Sequence, residues 1–496
     1  MTEYDLLIIN GLVITDTFTE EYDLAIKDEK IYKLAPRGSF TGQSAKRTID
    51  AKGGYVMPGG VDAHVHLAEP PLFGKGSSAD NYESGSRSAI AGGTTTMITF
   101  APQVKSEPSL LTTLSATHAK AAGNCYNDYS FHLLIANPSP TALAEFPILR
   151  ARGISSLKIY MTYEALQLPD NQILDVLLAA RQHKITTMVH AENGHIISWM
   201  TSQLEKRSLF APKYHAPSHH PMAEIEATFR AICLSELIDA PILLVHVSSP
   251  SAAHHINTAQ SRGLAVQAET CPQYLFLTRH DLDKPGFEGA KACCSPPPRD
   301  GPADHDAIWE RLADGTFAVL SSDHCPFLFD DSAKGKKSCI EDGFPEGRFK
   351  YIPNGLPGIE TRLPLVLSAG RLPLQKFVAV TAANPARLYG LWPRKGAFVE
   401  GVSDADVVVW YPEDGEGGME GFALRNEMLH HDVDYTPYEG RWMRQWPRYT
   451  VLRGEVVWDR EGGGVVGRKG QGRFLERGVS CLRGARREGE WDVLSA

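Results

Sequence analysis

Ser156-Leu157-Lys158-Ile159-Tyr160-Met161-Thr162-Tyr163 is a strand-like run with a lysine among apolar neighbours and no acidic residue beside it. Similar apolar runs close on polar residues elsewhere, in Asp62-Ala63-His64-Val65-His66, Val189-His190, Val245-His246 and Ser322-Asp323-His324. Working outward from these, strand candidates fall at 61–67, 94–101, 129–136, 156–163, 186–192, 242–249, 266–272 and 317–323. The segments between them can hold helices. The clearest is Ala223–Leu234, whose apolar residues recur at helical spacing. This alternation predicts an α/β fold, a TIM-like (β/α)8 barrel.

In such a barrel the active site lies at the C-terminal mouth, built from the ends of several strands. His64 and His66 would end the first strand, with Lys158 on the fourth, His190 on the fifth, His246 on the sixth and Asp323 on the eighth. Six scattered residues become one ring. Outside the barrel, short strands are expected at Asp5 to Asn10, Leu12 to Thr15, Asp23 to Lys27 and Lys30 to Ala35, with Asn10-Gly11 as a hairpin turn. Residues 404–411 and 450–458 read the same way. Together the two ends would close a small β-sandwich (1–55 with 390–466) around the barrel at 56–389. The loops at 193–222 and 326–356 exceed ordinary connections and are candidate substrate loops. The charged segment 467–496 is expected to be a disordered tail or an arm on a neighbouring subunit.

Composition narrows the partners. The chain has 496 residues, 43% of them hydrophobic and 22% charged, which is enough to pack a core. A formal net charge of −9 argues against nucleic acid or an anionic membrane as the main partner. Eight cysteines without CxxC spacing read as reduced thiols. Nothing resembles a secretory leader or a bilayer span, so a cytoplasmic protein is expected.

The residue types then suggest chemistry. His64 and His66, two apart on a strand, leave the same face roughly 6–7 Å apart and can share a metal. An ammonium beside two dications is disfavoured. A neutral Lys158 amine that captures carbon dioxide becomes a carbamate with one oxygen for each metal. His190 and His246, each at the end of an apolar strand, are further candidate ligands that support one another, and Asp323 can ligate through one oxygen and accept a proton through the other. Two dications opposed by Asp323, the carbamate and a bridging hydroxide leave a nearly neutral site, and metals lower the pKa of bound water to about 7. Histidine and oxygen ligands suit zinc, with manganese and cobalt as alternatives. The expected reaction is hydrolysis of an amide, with Asp323 carrying the proton to the leaving nitrogen. Other conspicuous residues read as ordinary. Cys325 lacks an arranged base, Cys293-Cys294 is packing, and His219-His220, His254-His255 and His430-His431 are surface residues. Lys334-Gly335-Lys336-Lys337 is a solvated loop.

At this point the chain resembles the cyclic amidohydrolases, and among them the dihydropyrimidinases and D-hydantoinases. The resemblance runs from Pro58 to the Asp434-Tyr435 region. It is carried by Gly60–His66, Lys158–Tyr163, Val189–Asn193, Val245–Ser249, Cys294–Arg299, Ser321–Phe327, Ile352–Glu360 and Thr381–Ala386. It implies a distorted barrel with a β-sandwich, two zinc ions per subunit, a carboxylated lysine at Lys158 (N6-carboxylysine) and a homotetramer (or dimer). It also implies that Tyr163 donates to the oxyanion and that backbone groups at Ser295 and Asn354 hold the substrate ring. The substrates implied are 5,6-dihydrouracil, dihydrothymine and 5-substituted hydantoins. Two departures stand out. Leu67-Ala68-Glu69-Pro70-Pro71-Leu72-Phe73-Gly74 is longer than the usual glycine-rich loop and partly resembles allantoinases. Ala68 stands where dihydroorotases carry an arginine. Allantoinase is therefore the competing enzyme, and a non-catalytic dihydropyrimidinase-like assembly protein the competing class.

Overall fold

The computed structural model describes residues 3–70, 76–331, 333–341, 343–413, 418–484 and 492–493. The chain begins with β1 (Tyr4–Ile14), β2 (Thr19–Lys27), β3 (Lys30–Pro36), β4 (Ala45–Asp50) and β5 (Tyr55–Pro58). Asn10-Gly11 is not a hairpin. β1 runs straight through it, with a bulge that shifts register between Ile8 and Gly11. Asn10 takes a left-handed φ of 57°, and a side chain at Gly11 would collide with Val56. The bulge lets β1 change partners, from β4 at Tyr4–Ile9 to β5 at Leu12–Val13. The hairpin turn lies instead between β2 and β3, where Asp28 and Glu29 both have positive φ.

Eight parallel strands follow: β6 (Gly60–Val65), β7 (Thr94–Pro102), β8 (Asp128–Leu134), β9 (Ser156–Tyr160), β10 (Thr186–His190), β11 (Ile242–Leu244), β12 (Val266–Thr270) and β13 (Val319–Leu320). They pair in sequence order, and each falls within or overlaps its predicted run. The seam between β6 and β13 is bridged at Val65 and His324, where His66 N donates to His324 O at 2.8 Å. Below it, the fully buried Arg362 donates to Val61 O and Leu320 O and so staples the first strand to the last. The barrel is filled by Val61, Ala63, Ile98, Phe100, Met188, Leu243, Val245 and Val319. Such strands are covered on both faces, which is why their sequences read as nearly continuous apolar runs.

Helices start where the strands end because polar residues there cap them. Asn193, three residues past His190, accepts from His195 N and Ile196 N and opens the helix Gly194–Glu205. Ser249, three past His246, caps Pro250–Ser261 with proline at the first position. The segment 193–222 is therefore largely helical rather than an open loop.

After the barrel, β14 (Val407–Trp410), a two-stranded ribbon of β15 (Phe422–Ala423) and β16 (Trp442–Met443), β17 (Pro447–Leu452), β18 (Glu455–Asp459) and β19 (Gly464–Val465) complete the strands among the described residues. β14 pairs with β5, joining both ends of the chain into one nine-stranded sheet around Leu6, Ile8, Val13, Leu24, Val56, Val407, Val409 and Val451. The segment after Gly467 lies on its own barrel as far as Gly484, correcting the expectation of a free tail. Phe474 stacks on Phe131, and Arg477 enters the barrel floor with 2% exposure. Among the described residues, no helix is long and apolar enough to cross a membrane.

Candidate active site

The six predicted ligand residues are all buried and meet at the mouth of the barrel. Lys158 Nζ lies 2.8 Å from His64 Nε2, and Asp323 Oδ1 lies 3.1 Å from His64 Nε2 and 3.6 Å from His66 Nε2. The rings of His64 and His246 are 5.5 Å apart, and those of His190 and His246 4.4 Å. Donor atoms of His64, His66 and Asp323 lie within 4.8 Å of one another, a spacing that can hold a metal ion. Tyr163, His246 and Asp323 all have positive φ, a strained conformation for non-glycine residues that clusters at functional sites.

Three carboxylates that sequence reasoning did not assign orient the imidazoles. Glu269, on β12, bonds His64 Nδ1; Glu69 bonds His66 Nδ1 at 2.7 Å; Glu192 bonds His190 Nε2 at 2.8 Å. Each carboxylate fixes the orientation of its imidazole, and for His66 and His190 it holds the proton on the nitrogen it meets, leaving the other ring nitrogen as a lone pair. His246 Nδ1 is buried and has no hydrogen-bond partner among the described residues. A donor set of lone pairs, one carboxylate and an unpartnered ring nitrogen fits metal binding. Burial holds the imidazoles of His66, His190 and His246 below the ordinary histidine range, which keeps them unprotonated at neutral pH. For Asp323 burial acts upward, but the charge and hydrogen bond of His64, with His66 and Lys158, bring it down to about 2.

The inner pocket, about 80 Å³, is also walled by Tyr163, Ser295 and Asn354. Tyr163 Oη accepts from Asn354 Nδ2 at 3.2 Å, and burial pushes its phenol far up, so it stays a proton donor. Ser295 Oγ donates to Glu192 at 2.6 Å. Outside it opens a cavity of about 870 Å³, lined in part by Thr162, His195, Ser198 and His219. His219 is thus no surface residue: it is 6% exposed and bonds Glu192 at 2.9 Å. His220 is exposed, and its ring caps the helix Pro221–Ile238. His430 is half-buried against Glu360, and both ring nitrogens of His431 are enclosed. Cys325 lines the inner pocket, and burial pushes its thiol well up. Of the extended loop after His66, Pro71–Gly74 lie outside the described residues.

Fold and site together define a hydrolase, and the chain belongs to the amidohydrolase family, whose profile matches residues 55–457. It is 38% identical to a D-hydantoinase of Ralstonia pickettii over 95% of this chain and 99% of that one, and 39% identical to a D-hydantoinase of Streptomyces coelicolor over 95% and 97%. The crystal structure of dihydropyrimidinase from Brevibacillus agri superposes with a TM-score of 0.88 at 36% identity, covering 96% of this chain and 99% of that one. Within the family, the chain is a cyclic amide hydrolase of the hydantoinase and dihydropyrimidinase kind.

Proposed function

We propose that this chain opens 5,6-dihydrouracil and dihydrothymine to N-carbamoyl β-amino acids, a step of pyrimidine breakdown, and 5-substituted hydantoins at the same site. The observation that carries this reading is the convergence of His66, Lys158, His190, His246 and Asp323 on one pocket that also presents Tyr163, Ser295 and Asn354, with His64 directly behind Lys158 and Asp323. Relatives named for hydantoin and dihydropyrimidine hydrolysis support the same ring class.

The residues suit two zinc ions. His64 and His66 would hold one, His190 and His246 the other, with Asp323 as a further ligand and Lys158, as its carbamate, between them. Burial lowers the Lys158 pKa against Asp323 and Glu269, which favours the neutral amine that captures carbon dioxide. When bound, such a pair polarises the ring carbonyl and makes water acidic. Asp323, ionised at neutral pH, takes a proton from the attacking water and returns it to the ring nitrogen as the C–N bond breaks. Tyr163 donates to the oxygen that gains charge. Backbone groups of Ser295 and Asn354 hold the ring edge, and the outer cavity receives the ring substituent. The expected assembly is a cytoplasmic homotetramer or dimer, each subunit a barrel with the sheet of the chain's two ends.

Parallel assays with dihydrouracil, a 5-substituted hydantoin and allantoin, with metal analysis, test the reading. Turnover of the first two with about two metals per chain is expected. Turnover of allantoin alone would replace the ring assignment.

A further inference from the structure

Lys336 departs from its sequence context. Lys334-Gly335-Lys336-Lys337 reads as a solvated loop, yet Lys336 is 0% exposed. Its ammonium donates to Cys293 O at 3.0 Å and Pro353 O at 2.9 Å, and among the described residues it pairs with no carboxylate. Burying a cation against two carbonyls alone is unfavourable for folding, since desolvation outweighs what neutral acceptors return. The two carbonyls belong to the two segments that carry Ser295 and Asn354.

The joint is specific. Cys293 O also accepts from Gly355 N at 3.0 Å. That N–H shares a peptide plane with the Asn354 carbonyl, so the Cys293 oxygen sets the direction of the Asn354 oxygen. Gly355 packs so closely against Cys325 that a side chain there would collide with the Cys325 backbone and side chain. The Asn354 side chain accepts from Cys293 Sγ at 3.2 Å and donates to Tyr163 at 3.2 Å. Two residues beyond Cys293, Ser295 is tied to Glu192. One cation therefore joins the Ser295 segment, the Asn354 segment and, through Asn354, Tyr163. Lys336 lines neither cavity, so it does not touch the substrate.

We propose that Lys336 is a positioning residue that sets the spacing between the Ser295 and Asn354 peptides, and so governs how tightly the planar N–H/C=O edge of a cyclic amide is held. This rests on the ring-opening reading above. Lys336→Met keeps the stem and leaves both carbonyls without their donor. The holoenzyme variant should retain wild-type metal content and show a KM for a 5-substituted hydantoin raised roughly tenfold or more, with kcat changed far less. Inhibition by succinimide, a cyclic imide, should weaken by the same factor, while inhibition by acetate stays unchanged. Lys336→Gln, which keeps a shorter, uncharged NH2 donor group, should fall between the two, and carries the same measurements if the methionine variant does not fold. An unchanged KM and succinimide constant at normal metal content overturns the proposal. So does a variant that only melts earlier and loses metal, with KM unchanged in its metallated fraction. If the wild type opens no cyclic amide, that result falls on the ring-opening reading; succinimide binding measured by calorimetry on wild type and variants still decides the role of Lys336.

Discussion

Lys158 is 1% exposed, with the rings of Phe100 and Tyr160 4.6 and 4.8 Å from its ammonium and His64 Nε2 at 2.8 Å. Aromatic faces favour a cation, and burial opposes one. Lys158→Ala should lower metal content and reduce kcat/KM by at least about a hundredfold, ~2.7 kcal/mol of transition-state stabilisation. Short carboxylic acids added to the variant should restore part of the rate by supplying the missing oxygens. Full activity in the variant would rule out a bridging role. At this scale the ring of six was legible, because each member ends an apolar run and a barrel gathers strand ends. Glu69 and Glu269 were not, since their part depends on which imidazole nitrogen they face. Glu192 left a trace in the His190-Ala191-Glu192 spacing. His219 left none: its burial follows from the segment 193–222 folding as helix over the site.

Among elements, the strap after Gly467 is the least expected. Leu475 N donates to Tyr129 O at 2.7 Å, and Arg477 donates to Ser130 Oγ at 2.9 Å, to Ser156 Oγ at 2.7 Å and to Phe131 O. Ser156 opens the strand that carries Lys158. Arg477→Met would leave these buried acceptors without their donor and should destabilise the protein by about 1–3 kcal/mol. Arg468→Met, at a side chain 76% exposed, should change stability by no more than about 0.5 kcal/mol. Equal denaturation midpoints for the two variants would remove the strap from the barrel's stability. Its charged sequence looked like a tail because the few residues that anchor it, Phe474, Leu475 and Arg477, form no periodic pattern. The Asn10-Gly11 bulge has the same lesson: a turn-like dipeptide was read locally, whereas the approach of Val56 decided its geometry.

For the whole molecule, the joint between barrel and sheet is a buried ion cluster. Lys395 Nζ lies 2.7 Å from Asp128, 2.7 Å from Asp406 and 3.0 Å from Asp404, with Arg453 also on Asp128. Burial acts to raise Asp128 and Asp404, but Lys395 outweighs it and both fall below the ordinary 3.8, while burial raises Asp406. Lys395 itself is raised above 10.5 by the three carboxylates against its burial. The stability from Asp128 and Asp404 is therefore present above pH 3.8 and lost as pH falls through their folded values. That from Lys395 is present below 10.5 and lost as pH rises through its own. Lys395→Met should destabilise by about 3–5 kcal/mol at pH 7, because it strands buried carboxylates. The deficit should narrow toward pH 4, where stranded carboxylates protonate; thermal melts at both pH values check this, and a deficit independent of pH would refute it. The chain's sequence alone determined the barrel and the ring at its mouth, because period and burial are written locally along each strand and the closed sheet turns strand order into proximity. Only the tertiary structure decided the carboxylates behind the histidines, the buried Lys336 and Lys395, and the strap. A charge is held inside by partners far away in sequence, and no local pattern records which distant carbonyl or carboxylate will arrive to meet it.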